Sequence, residues 1–240
     1  MEEVGVDNQP KWAAKVALAC FLALVGGVLL GSLAVGLVLS SMGAIRPENL
    51  PFPIALISLP VNETIFLAIT LLFARYKGAS LKELGLRKIS IKTLLTVSIG
   101  AIPLLLLGIG VSFSEEIIFG PNPWAQQVEA LVMPRNNLQL VVMVAYSLIL
   151  VGPCEELAIR GFVQKGLENS FGKRWGLLTS SALFGLLHGL NTPYAVMPVL
   201  AVGLVIGYVW QRTDGNTTAA TLMHGVYDAI ALTLAYSLSS

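Results

Sequence analysis

The sequence predicts an all-α, polytopic membrane protein with about seven transmembrane helices. Three observations carry this. The 240-residue chain is 55% hydrophobic and only 12% charged, where a soluble domain carries about 25% charged residues. Uncharged runs at 16–45, 93–114 and 136–154 reach or approach the ~20 apolar residues a helix needs to cross a bilayer. The basic residues, finally, divide unequally between alternate connecting segments.

The first span, 14–41, is longer than a signal-peptide core and follows Glu2, Glu3 and Asp7, so it is expected to be retained. Its Gly27-x-x-x-Gly31 spacing lets another helix approach closely. The second, 52–74, is interrupted by Pro60, Asn62 and Glu63, and Glu63 reads equally as an accessory or a structural group. The third is 92–113. The fourth, 138–165, begins apolar and ends in Glu155, Glu156 and Arg160. The fifth and sixth, 175–190 and 194–210, are separated by Asn191-Thr192-Pro193, which breaks helix. The seventh is 217–237. The segment 115–132 is a candidate for an additional in-plane helix.

With the N-terminus in the cytoplasm, 12 lysines and arginines fall on inside segments and two, Arg46 and Arg135, outside, leaving out Arg160 within the fourth span. The positive-inside rule therefore predicts a multi-pass protein of the cell membrane with a cytoplasmic N-terminus. Residues 1–13 read as a cytoplasmic tail, 14–137 as N-terminal membrane helices and 138–240 as the membrane-embedded functional helices of one integral domain. Trp12, Trp175 and Trp210 fall near cytoplasmic span ends, where aromatic belts form. Cys20 and Cys154 lie in spans and are not expected to pair. A net charge of +1 gives no footprint for nucleic acid.

The polar groups left inside the apolar runs are few. A charge at bilayer depth costs a few kcal/mol on insertion scales and usually has a function. Glu156 and Arg160 are four apart and share a helix face. Glu155, rotated by ~100°, points elsewhere without that partner, as a general base or acid would. Phe184 and His188 repeat the spacing on the fifth span, so Phe184 can fix the imidazole. His224 and Asp228 repeat it on the seventh, where the carboxylate could hold the histidine tautomer. Counting helical rise, Glu155, His188 and His224 all lie roughly 15–20 Å from the cytoplasmic ends of their helices. One histidine in a membrane helix is more often a packing hydrogen bond. Both histidines of the chain at the depth of the acidic pair favour one shared site.

Glu-Glu-x-x-x-Arg at 155–160, Phe-x-x-x-His at 184–188 and His-x-x-x-Asp at 224–228, in that order on three spans, resemble the three motifs of the CPBP (ABI) family. That family comprises type II CAAX prenyl endopeptidases and bacteriocin-processing proteases. The resemblance covers roughly 138–235 and includes Gly161-Phe162. It implies peptide-bond hydrolysis at the membrane, with a peptide or membrane-protein substrate. Glu155 and His188 would activate water, His224 and residue 228 would stabilise the oxyanion, and Glu156 and Arg160 would brace the site. The site would open toward the cytosol. Asp228 departs from the asparagine common in the family, and an ionised carboxylate cannot donate to an oxyanion. Either it carries a proton, or it orients His224, or Glu155, His188, His224 and Asp228 form a zinc set; the metal-free version, with no cofactor, is favoured. Two other classes compete: a non-catalytic scaffold or immunity protein binding a partner at the same site, and a proton-coupled transporter relaying through Glu155, Glu63 and the histidines. The absence of an apparent internal repeat counts against the transporter.

Overall fold

A computed structural model describes residues 10–41, 53–125 and 132–239, the side chains of 53–55 excepted. Those residues are helical throughout their ordered elements, with no strand among them. In chain order they form α1 (Ala14–Ser41), α2 (Pro53–Tyr76), α3 (Ile91–Phe119), α4 (Asn137–Tyr146), a π-helical segment π1 (Ser147–Val151), α5 (Gly152–Glu156), a second one π2 (Leu157–Gln164), α6 (Lys165–His188), a 3-10 turn (Pro193–Ala195), α7 (Val196–Arg212) and α8 (Thr217–Ser239). The all-α membrane architecture is thus as expected.

Length and apolarity single out five runs, Ala14–Ser41, Leu56–Tyr76, Ile91–Phe119, Asn137–His188 and Pro193–Arg212, rather than seven. The expected fourth and fifth spans are one continuous run of 52 residues. It folds back at Gly172, whose φ of 76° is non-helical and open to glycine at little cost. Beyond the turn Ser180 Oγ donates to Gln164 Oε1 at 3.3 Å, pairing the two arms. The expected seventh, α8, is diluted by threonines and by His224 and Asp228. Of the candidate in-plane helix at 115–132, residues 115–119 instead continue α3, which Gly120 terminates with φ 87°, and 126–131 lie outside the described residues.

The irregular helix from Asn137 to Gln164 has a local cause. Pro153 has no N–H, so the bond to the carbonyl one turn back cannot form. The Gly152 N–H instead reaches the Ser147 carbonyl five residues back. π turns of this kind frequently mark functional sites, and here they bracket the short α5 that carries Glu155 and Glu156.

One end of the bundle is closed by the 77–90 segment. Thr217 Oγ1 donates to the Leu84 carbonyl at 2.6 Å, the Thr217 N–H to the Gly85 carbonyl at 2.8 Å, and Arg87 to the Asp214 carbonyl. Lys165 Nζ donates to the Glu83 carbonyl at 2.5 Å. Trp12 is not in an interfacial belt, contrary to the sequence reading. Its ring stacks on Phe162 at 4.8 Å, and its indole N–H donates to the Phe162 carbonyl at 2.9 Å. Trp210 is likewise buried, donating to Thr217 Oγ1, whereas Trp175 is exposed as expected. Both cysteines are free and buried.

In lipid, helices associate through close van der Waals packing more than through the hydrophobic effect, and glycines set the site's spacing. A Cβ at Gly225 on α8 would meet the Ser147 carbonyl oxygen at 2.9 Å and Leu148 Cα at 3.1 Å. One at Gly152 would meet the Thr221 carbonyl at 3.0 Å. Backbone against backbone, α8 lies on π1 and α5, which brings His224 to the glutamate pair.

Candidate active site

The fully buried pair Glu156 and Arg160 stands at the centre, Arg160 Nε donating to Glu156 Oε2 at 3.1 Å. The i, i+4 spacing delivers this contact although it enters the π-helical segment. The remaining guanidinium nitrogens face α7, where a Cβ at Gly203 would come within 3.3 Å of Arg160 Nη2. The guanidinium also lies over the Phe184 ring, 5.3 Å from its centroid, a cation–π arrangement. The same ring meets His188 edge-on at 4.6 Å and His224 at 6.2 Å. Phe184 therefore packs beside three site residues, where the sequence indicated one.

His188 Nδ1 lies 3.1 Å from the Phe184 carbonyl oxygen. A carbonyl only accepts, so Nδ1 carries the proton and Nε2 is left for the pocket. His224 Nδ1 lies 2.9 Å from Glu156 Oε1, and the same logic makes Nδ1 its donor. This corrects the sequence reading in which Asp228 held the tautomer. Glu156, from a different helix, does so instead, while Asp228 Oδ2 stands 3.6 Å from Nε2 and Glu155 Oε2 stands 3.8 Å from it. Nε2 thus faces two carboxyl groups, an arrangement that is favourable only with a proton between them.

Glu155, His188, His224 and Asp228 line one cavity of about 370 Å³. Glu155 is buried and its Oε2 has no hydrogen-bond partner, whereas Asp228 is the most open of the acids, with 25% of its side chain exposed. The cavity's other walls come from α1 and α2, through Val28, Ser32, Asn62, Glu63 and Phe66. Sequence motifs missed this half. The available signal was Glu63, the only acidic residue of α2. The exposed lining residues Leu29, Ser32, Leu190 and Asn191 include the α6–α7 turn, at the far end of that hairpin from Lys165 and Arg212. Part of the exposed lining thus lies at the end of the α6–α7 hairpin away from Arg212. Among the described residues no group of three or more His, Cys, Asp or Glu is arranged to hold a metal ion.

Residues 137–230 match the family model described as Type II CAAX prenyl endopeptidase Rce1-like. The match runs from α4 into α8, takes in all three polar motifs, and bears out the resemblance to the CPBP family read from them. It leaves α1 to α3 outside. No curated protein and no solved structure matches the chain. The matched family is one of endopeptidases, which makes peptide substrates and a membrane setting the context in which the cavity is interpreted.

Proposed function

We propose that the protein is an intramembrane endopeptidase that hydrolyses peptide bonds of membrane-associated or peptide substrates without a metal. The observation that carries this is the buried, unpartnered Glu155 Oε2 in a cavity shared with His188, His224 and Asp228, within the segment similar to endopeptidases. Glu155 takes a proton from water, helped by the free Nε2 of His188. The water oxygen adds to the carbonyl carbon, and charge develops on the carbonyl oxygen. His224 donates to that oxygen through Nε2, its Nδ1–H held by Glu156, and a protonated Asp228 beside it adds a second donor. Arg160 and Phe184 fix this frame.

Topology follows the charge distribution: the N-terminus and the 77–90 segment face the cytoplasm, and the cavity opens toward the lipid and the opposite side. The test compares membrane peptides of cells carrying wild-type protein or Glu155→Gln. The substitution keeps volume and removes the base, so peptides released by the wild type should vanish with the protein still folded. Equal cleavage by folded Glu155→Gln sinks the protease reading and leaves the cavity as a binding site for a partner membrane protein.

A further inference from the structure

Peptide hydrolysis requires two proton movements, one off the water and one onto the departing nitrogen. The residues named above account for the first and for the oxyanion. The cavity contains one further titratable group, Glu63 of α2. It is 4% exposed, and its Oε2 has no hydrogen-bond partner. Of its neighbours, Asn62 donates through Nδ2 to Ser32 Oγ of α1 at 3.3 Å, and Thr64 Oγ1 donates to the Pro60 carbonyl at 2.6 Å. Glu155 comes from α5, His188 from α6, and His224 with Asp228 from α8. Glu63 is thus the titratable group that α2, a helix outside the matched segment, brings to the cavity shared with Glu155.

We infer that Glu63 is a catalytic acid that delivers the proton to the leaving amine, a role that rests on the protease reading above. The step balances as follows. A water O–H bond breaks, its oxygen bonds to the carbonyl carbon, and its proton goes to Glu155. The C–N bond then breaks, its electron pair goes to nitrogen, and nitrogen takes the proton of the Glu63 carboxyl. The products are a carboxylic acid and an amine, and the proton on Glu155 returns to Glu63 through water in the cavity. Membrane helices outside the matched segment would then be part of the catalyst and not only its enclosure.

An ester tests this, because an alkoxide leaves with far less need of a proton than an amine does. The probe is a quenched-fluorescent peptide spanning a bond that the wild type cuts, in phospholipid bicelles, beside its depsipeptide with an ester oxygen replacing the scissile nitrogen. Glu63→Gln should lower kcat on the amide by on the order of 100-fold, and on the ester by less than about tenfold. Equal losses on both substrates, or an undiminished amide rate, would overturn the inference. If Glu63→Gln fails to fold, Glu63→Asp decides: its shorter acid should lower the amide-to-ester rate ratio below that of the wild type, and an unchanged ratio refutes the role. Glu155→Gln separates the two readings. It should abolish both hydrolyses, and if it does not, the protease reading fails irrespective of Glu63.

Discussion

Glu156→Gln tests the centre of the site most directly. Glu156 accepts from Arg160 through Oε2 and from His224 through Oε1, with both its own side chain and that of Arg160 fully buried. A glutamine has one acceptor oxygen and one donating NH₂. Whichever way it turns, one of the two donors loses its acceptor and meets another donor. Arg160 is left as a buried charge without its counter-ion, an outcome that costs roughly 3–5 kcal/mol. That corresponds to a fall of about two to nearly four powers of ten in the folding equilibrium. Equilibrium unfolding in mixed detergent micelles, followed by tryptophan fluorescence, gives the number. The double variant Glu156→Gln with Arg160→Met should recover most of the loss, since replacing both members of a buried pair by neutral groups is often near neutral. A single variant within about 1 kcal/mol of the wild type would refute the reasoning. So would a double variant no better than the single.

Four further outcomes are expected. Asp228→Asn should retain or raise peptidase activity, because an amide donates at every pH; the wild-type rate should fall as rising pH strips the Asp228 proton, and the variant should lack that limb. An inactive Asn variant, together with about one zinc per chain in the wild type by elemental analysis, would instead support zinc. Gly225→Ala should force α8 away from Ser147 and Leu148, at a cost of about 1–3 kcal/mol and most of the activity, both readable on one purified preparation. Hydrogen bonds from the Ser80 N–H, Lys11 and the Ser80 hydroxyl hold the Glu83 carboxyl down at about 2 against an ordinary 4.5. With the folded value depressed, its contribution to ordering the 77–90 segment is present above pH 4.5 and fades as pH falls toward 2, so amide exchange there should accelerate over that window in the wild type and not in Glu83→Gln. Cysteines at Lys82 and Asn122 should label oppositely in intact cells, Asn122→Cys reacting and Lys82→Cys protected; the reverse pattern inverts the topology.

What could be read from the sequence were contacts made along one helix. Glu156–Arg160 and Phe184–His188 follow from four-residue spacing, which places partners on the same face wherever the helix goes. The carboxylate that holds His224 was misassigned because it comes from another helix, and the contact depends on Gly152 and Gly225 removing side chains between two backbones. Spacing contains no such information. Trp12 was misplaced for a related reason: an aromatic near a span end reads as interfacial until another helix packs on it, here through Phe162 stacked on its ring and Lys165 5.4 Å above it. The α1 and α2 walls of the cavity were hidden too, since neither helix carries a motif. Glu63 was visible as a charge out of place but not as a wall of this cavity.

The attachment of Glu156 to both Arg160 and His224 has an evolutionary consequence. Arg160 and His224 hang on the same carboxylate, so a lineage that loses Glu156 strands both at once and needs a second change, as at Arg160, to stay stable. Glu155 carries no such attachment: its Oε2 makes no hydrogen bond and stands 3.8 Å from His224 Nε2. On the proposed mechanism, a single base change from glutamate to glutamine at that codon would silence hydrolysis and leave the cavity, its histidines and its walls standing. If the proposed hydrolysis holds, this layout makes catalysis easier to lose than the cavity, and inactive descendants with the cavity intact are one mutation away.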